Sequence, residues 1–132
     1  MEFNKIIYKN LNAKSKEIYN FQKVSAVLAE YGFCTMWLNN DWESADFIAV
    51  HLKNEKYIKV QLKARFSFSE KYKGKNIYIC FREDGETYLY PHDDVLNKVI
   101  DKISDKTWVT HKRWSTNKLS KSYKKLLEPY KI

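Results

Sequence analysis

Residues 57–65, YIKVQLKAR, alternate without a break: Ile58, Val60 and Leu62 are apolar, and Tyr57, Lys59, Gln61 and Lys63 fall between them. A period of two places the first set on one face of a β-strand and the polar set on the other. Residues 13–31 follow a different rule. Ile18, Phe21, Ser25 and Leu28 recur at helical spacing, with Val24 and Tyr31 beside them and Gly32 as the stop. FCTMWL (33–38) predicts a strand, NNDWES a polar loop, and ADFIAVHL (45–52) a second strand. KNEK then turns the chain into the alternating strand.

Beyond it, FSFSEKYKGK (66–75) reads as a basic loop, and NIYICFR and TYLYP as a hairpin closed by EDGE. HDDVLNKVIDKI (92–103) is an amphipathic helix with His92 or Asp93 placed to cap it. TWVTHKRW predicts a short strand or a loop, and STNKLSKSYKKLLE a last helix stopped by Pro129. With no repeats or linkers, the pattern predicts one α/β domain over residues 1–132. Its mixed central sheet has about five strands, with an N-terminal helix and two C-terminal helices.

The hydrophobic content of 44% in 132 residues is enough for one core without staples. No apolar run approaches the ~20 residues of a membrane span. MEFNKIIYKN lacks a signal peptide's apolar stretch, so a cytoplasmic protein is expected. Cys34 and Cys80 stand alone, as two buried thiols. The three histidines share no motif and are read as structural or surface residues.

Charge changes the picture. Residues 53–75 carry eight Lys/Arg against Glu55 and Glu70, a balance of +6, and residues 111–132 carry seven against Glu128, again +6. Residues 83–105 hold seven acids against Lys98 and Lys102. Cations gathered in two segments suit a polyanion, most commonly nucleic acid. The residues expected to meet its phosphates are Lys59, Arg65, Lys71, Lys73, Lys75, Lys112, Arg113, Lys118, Lys121 and Lys125. Solvated lysines kept for solubility are the plainer alternative.

The hairpin sets the candidate chemistry. A loop centred between Asn54 and Glu55 puts Asp46 opposite Lys63 and Ile48 opposite Gln61. Asp46, Gln61 and Lys63 then share one sheet face, whereas a slip of one residue would separate Asp46 from the other two. A carboxylate, a side-chain amide oxygen and a backbone carbonyl are hard ligands suited to Mg²⁺ or Mn²⁺. A lysine beside them can offset charge on a phosphorane. Glu17, in the first turn of the helix, is a further acid within reach of the end of the sheet.

These residues together resemble the PD-(D/E)XK, or restriction-endonuclease-like, nuclease superfamily. The resemblance runs over residues 14–65: Glu17 on the helix, Gly32-Phe33 entering the first strand, Asp46 on the second, and Gln61-Leu62-Lys63 on the third. The pattern is nearest to small Holliday-junction-resolvase-like and homing-endonuclease-like members. It departs from the usual motif at Ala45, which replaces Pro, and at Gln61, which replaces an acid. It also lacks the helix that follows the third strand.

The resemblance implies a Mg²⁺-dependent endonuclease acting on DNA, with Mn²⁺ able to substitute. Asp46, Gln61, Glu17 and the Leu62 carbonyl would hold the ion, and Lys63 would orient water and stabilise charge. The products would carry a 5′-phosphate and a 3′-hydroxyl, and cutting both strands or a junction would require a homodimer. The alternatives are a catalytically idle nuclease fold that binds DNA, RNA or a protein partner, and an RNA-cutting protein.

Overall fold

The first helix, α1 (Ala13–Glu30), starts where Asn12 accepts a hydrogen bond from the Ser15 N–H at 2.8 Å. It ends at Gly32, whose φ of +83° lies in the left-handed region and whose missing Cβ leaves room for His51. The structure is a computed structural model that describes residues 1–132, the side chain of Asp41 excepted. After α1 come β1 (Phe33–Trp42), β2 (Ala45–His51), β3 (Tyr57–Leu62), β4 (Ser67–Ser69), β5 (Ile77–Glu83) and β6 (Glu86–Pro91). Three helices and one short strand complete the chain: α2 (His92–Ile103), α3 (Lys106–His111), β7 (Arg113–Ser115) and α4 (Lys121–Leu127).

Five strands form one mixed sheet in the order β1-β2-β3-β5-β6, antiparallel except where β3 and β5 run parallel. The α/β class, the central sheet and its flanking helices are those the sequence predicts. Parallel neighbours need a crossover, and residues 63–76 supply it. Within this crossover β4 pairs with β7 in a separate two-stranded ribbon.

The sheet separates two cores. On one face Val24 and Leu28 of α1 meet Phe47, Ala49, Val60 and Cys80. On the other, Ile77, Ile79 and Phe81 of β5 lie beneath Phe66 and Phe68 of the crossover and Val95 and Val99 of α2. The second layer packs on β5 and β6. On the same face of β2 and β3 the side chains are Asp46, Ile48, Lys59 and Gln61, none of them fully buried. A polar recess therefore opens beside a hydrophobic step.

Several sequence expectations are corrected. Ile18 and Tyr31 are exposed, because the buried stripe of α1 passes through Val24 and Leu28. Cys34 is exposed on the edge strand β1; only Cys80 is buried, and burial pushes its thiol pKa up to about 12. The segment read as a basic loop contains β4 and buries Phe66, Phe68 and Tyr72. TWVTHKRW forms the short helix α3 and β7, divided by Lys112 in a left-handed conformation (φ +58°). Neither His92 nor Asp93 caps α2; Pro91 occupies the cap position, and both side chains bond elsewhere. The last helix begins at Lys121, where the Ser120 hydroxyl accepts from the Tyr123 N–H at 3.2 Å. No helix among the described residues is long and apolar enough to cross a membrane.

Candidate functional site

The β2–β3 turn differs from the expected one by a single step. His51 N–H donates to the Lys56 carbonyl at 2.7 Å, and Phe47 faces Val60 while Ile48 faces Lys59. Continued outward, this register sets Asp46 opposite Gln61, not Lys63. The shift is two residues along β3, so the alternation of faces is unchanged. Asp46, Lys59 and Gln61 share one face of the sheet, with Ile77 and Ile79 beside them on β5.

Asp46 sits at the end of this recess, half-buried, and its Oδ2 accepts the Leu62 N–H at 2.8 Å. Asp46 and Gln61 line one cavity of about 350 Å³, together with Ser44, Lys14, Lys71 and Tyr72. Lys63 follows the last residue of β3, and its backbone N–H donates to the Cys80 carbonyl at 2.8 Å. Its ammonium lies 5.3 Å from the centroid of the Tyr72 ring. Burial lowers the Lys63 pKa from its ordinary value, and the nearby Asp46 carboxylate partly restores it.

Lys63 does not line the Asp46–Gln61 cavity. It lines two neighbouring ones, and the nearer shares Lys71 and Tyr72 with it. Tyr72 is thus part of the wall of both. This residue carried no sequence prediction, although the apolar alternation of Phe66 and Phe68 just before it marks a chain that returns to the core.

Glu17 is not among the residues lining the cavity. Its carboxylate accepts from Lys14, one turn earlier, at 3.0 Å, and Lys14 rather than Glu17 reaches the cavity wall. Among the described residues no group of three His, Cys, Asp or Glu side chains is placed to hold a metal ion. Among the described residues, the side-chain oxygens on the wall of this cavity include those of Asp46, Gln61, Asn39, Asn40 and Ser44.

The basic residues divide sharply. Lys59 is largely enclosed: its ammonium donates to Glu43 at 2.6 Å and to the Lys75 carbonyl at 2.5 Å, and lies over the Trp42 ring. Its ammonium is thus engaged by other groups of the protein. Lys75 donates to Ser44, and Lys73 lies 3.7 Å from Glu70. Arg65 donates to Asn117. The β4–β7 ribbon, which aligns Ser69 with Arg113, brings the two basic segments together. Lys63, Arg65, Lys71 and Arg113 line one cleft of about 310 Å³. Lys112, Lys118, Lys121 and Lys125 are exposed and outside it.

Two side chains from the β6–α2 junction hold this ribbon in place. The Tyr90 hydroxyl donates to the Ser67 carbonyl at 2.7 Å and accepts the Ser67 N–H at 3.2 Å. His92, fully buried, accepts the Ser69 N–H at Nε2 (3.1 Å). The neutral tautomer consistent with that bond carries its proton on Nδ1, 2.7 Å from Asp93 Oδ1. The second Asp93 oxygen accepts the Gly74 N–H at 2.9 Å.

Burial lowers the His92 pKa, against the pull of Asp93. Asp93 is also lowered: burial would raise it, but the Gly74 N–H, His92 and Lys73 outweigh that. An unfolded histidine binds its proton near pH 6.5, above the folded value. The stabilisation is therefore complete above about pH 6.5 and is lost as pH falls through the folded pKa. Urea midpoints are expected to fall between about pH 7 and 5, and less steeply in His92→Gln. Parallel curves for the two proteins would count against this clamp.

Compared with family models, with curated proteins and with solved structures, the chain finds no match.

Proposed function

We propose that the protein is a metal-dependent nuclease of PD-(D/E)XK type that cleaves DNA, with Asp46, Gln61 and Lys63 as its site. The observation that carries this reading is a polar recess with a carboxylate and an amide oxygen on one cavity wall, beside a half-buried lysine in the adjoining cleft whose charge feels that carboxylate. The donor set is compatible with Mg²⁺ or Mn²⁺. It offers only oxygen, and Mg²⁺ is commonly held by one or two carboxylates completed by substrate phosphates.

On this reading Asp46, the Gln61 amide oxygen and the Leu62 carbonyl would hold the ion. When bound, it would supply Lewis-acid polarisation and an activated water. Asp46 keeps its carboxylate fixed at the strand end through the Leu62 N–H. Lys63 holds its proton and presents positive charge to the phosphorane oxygens, in surroundings where the charge is screened less than in water. With Gln61 neutral, the site repels phosphate less than a pair of acids would and binds the ion more weakly. One site reaches one strand, so cutting both strands requires two copies.

A site with one carboxylate among the described residues also suits the second reading, an idle nuclease fold that only binds. One experiment separates them: purified protein incubated with plasmid, junction, single-stranded DNA and RNA, in Mg²⁺, Mn²⁺ or EDTA. Metal-dependent cleavage of DNA is expected. Binding without cleavage under every condition would establish the idle module, and a requirement for a 2′-hydroxyl would move the substrate to RNA.

A further inference from the structure

We infer that the cleft between the end of β3 and the β4–β7 ribbon is a phosphate subsite of nucleic acid, holding the strand whose neighbouring phosphate lies at Asp46. This rests on the nuclease reading for its place in catalysis, but not for its chemistry. Four cations, Lys63, Arg65, Lys71 and Arg113, line about 310 Å³, and among the described residues no carboxylate lines it with them. Cations drawn together repel one another, and although Asp46 offsets part of the charge at Lys63, a bound polyanion would relieve the rest.

The cations are placed, not scattered. Arg65 is oriented by Asn117, and Arg113 is set by its register with Ser69. Lys71 lies over the Tyr72 ring, 5.2 Å from its centroid, and Lys63 lies 5.3 Å from the same centroid. The Arg65 guanidinium, held by Asn117, suits the forked recognition of phosphate oxygens.

Neighbouring cations are already engaged, which makes the assignment selective. Lys59 and Lys75 are tied to Glu43 and Ser44, and Lys73 lies beside Glu70. Because Lys71 and Tyr72 belong to both the cleft and the Asp46–Gln61 cavity, a chain of phosphates passes from one to the other without leaving the wall.

The test is fluorescence anisotropy of a labelled DNA duplex, in EDTA so that cleavage plays no part, from about 50 to 200 mM salt. Arg65→Gln, Lys71→Gln and Arg113→Gln are each expected to weaken binding roughly three- to tenfold and to reduce the salt slope by about 1. Lys102→Gln and Lys106→Gln, on exposed lysines away from the cleft, are expected to change affinity less than about twofold. Lys71 is exposed, so Lys71→Gln reads the cleft even where an arginine variant fails to fold.

Inorganic phosphate competing at millimolar concentration, with no change of duplex affinity among the cleft variants, would assign the cleft to a free anion and overturn the proposal. Equal losses in cleft and control variants would overturn it too. Duplex binding through the cleft with no metal-dependent cleavage would leave the subsite standing and remove the nuclease.

Discussion

Lys63→Ala is expected to slow DNA cleavage by about 10²–10³-fold, the scale for losing one group that stabilises transition-state charge. Binding in EDTA should weaken no more than loss of any single cleft cation does. The lysine sits at the end of β3, within the field of Asp46 and half out of water. Asp46→Asn is the sharper companion. It keeps an oxygen to accept the Leu62 N–H, so the fold loses little, but it removes the one carboxylate that lines the Asp46–Gln61 cavity among the described residues.

Cleavage should fall to background in Asp46→Asn, while duplex binding stays equal or tightens as a negative charge facing the phosphates disappears. Gln61→Glu adds an acid beside Asp46 and should raise activity at low Mg²⁺. Burial also gives wild type a pH signature. A lowered Lys63 pKa means the ammonium loses its proton at lower pH than an ordinary lysine, so cleavage should decline early on the alkaline side. Lys63→Arg should remove that decline from whatever activity it keeps. If wild type cuts DNA and Lys63→Ala cuts it equally well, the site lies elsewhere on a genuine nuclease.

The shared face of Asp46 and Gln61 was legible because it depends only on parity. A four-residue loop, Leu52–Glu55, in place of the loop expected one position further on shifts the pairing by two and preserves the faces. Which residue faces Asp46 was not legible, since it depends on where the turn closes. Glu17 shows a similar limit. Its position on α1 was readable, but Lys14 one turn before it competes for the carboxylate.

The crossover was hidden by its own composition. Ser67 and Ser69 alternate with aromatic residues across only three strand positions, and the flanking lysines read as solvent-facing. Its partner β7 follows Lys112 in a left-handed conformation, which no glycine announces. Basic residues far apart in sequence therefore meet in a cleft that charge counting alone could suggest but not position.

Phe66→Ala is expected to destabilise the domain by about 3–5 kcal/mol, near the upper end for a buried aromatic. Phe66 is wholly buried in the crossover. Its ring meets Phe68 at 5.1 Å, Tyr90 at 5.5 Å, Trp114 at 5.6 Å and Tyr123 at 5.3 Å. These partners come from β4, β6, β7 and the last helix, so one side chain joins the second layer to the sheet. A domain of this size has roughly 5–15 kcal/mol in total, and the loss would consume much of it.

In urea the midpoint should fall sharply with the slope nearly unchanged, the sign of lost stability and not of a changed unfolded state. The functional consequence should appear before unfolding. The Thr116 N–H donates to the Phe66 carbonyl at 3.1 Å, and the β4–β7 ribbon that sets Arg113 follows directly. Loosening here should weaken duplex binding at temperatures where the sheet is still folded, and Phe66→Leu should restore most of both. A Phe66→Ala protein within about 1 kcal/mol of wild type would mean that the crossover lies on the sheet without being part of its core.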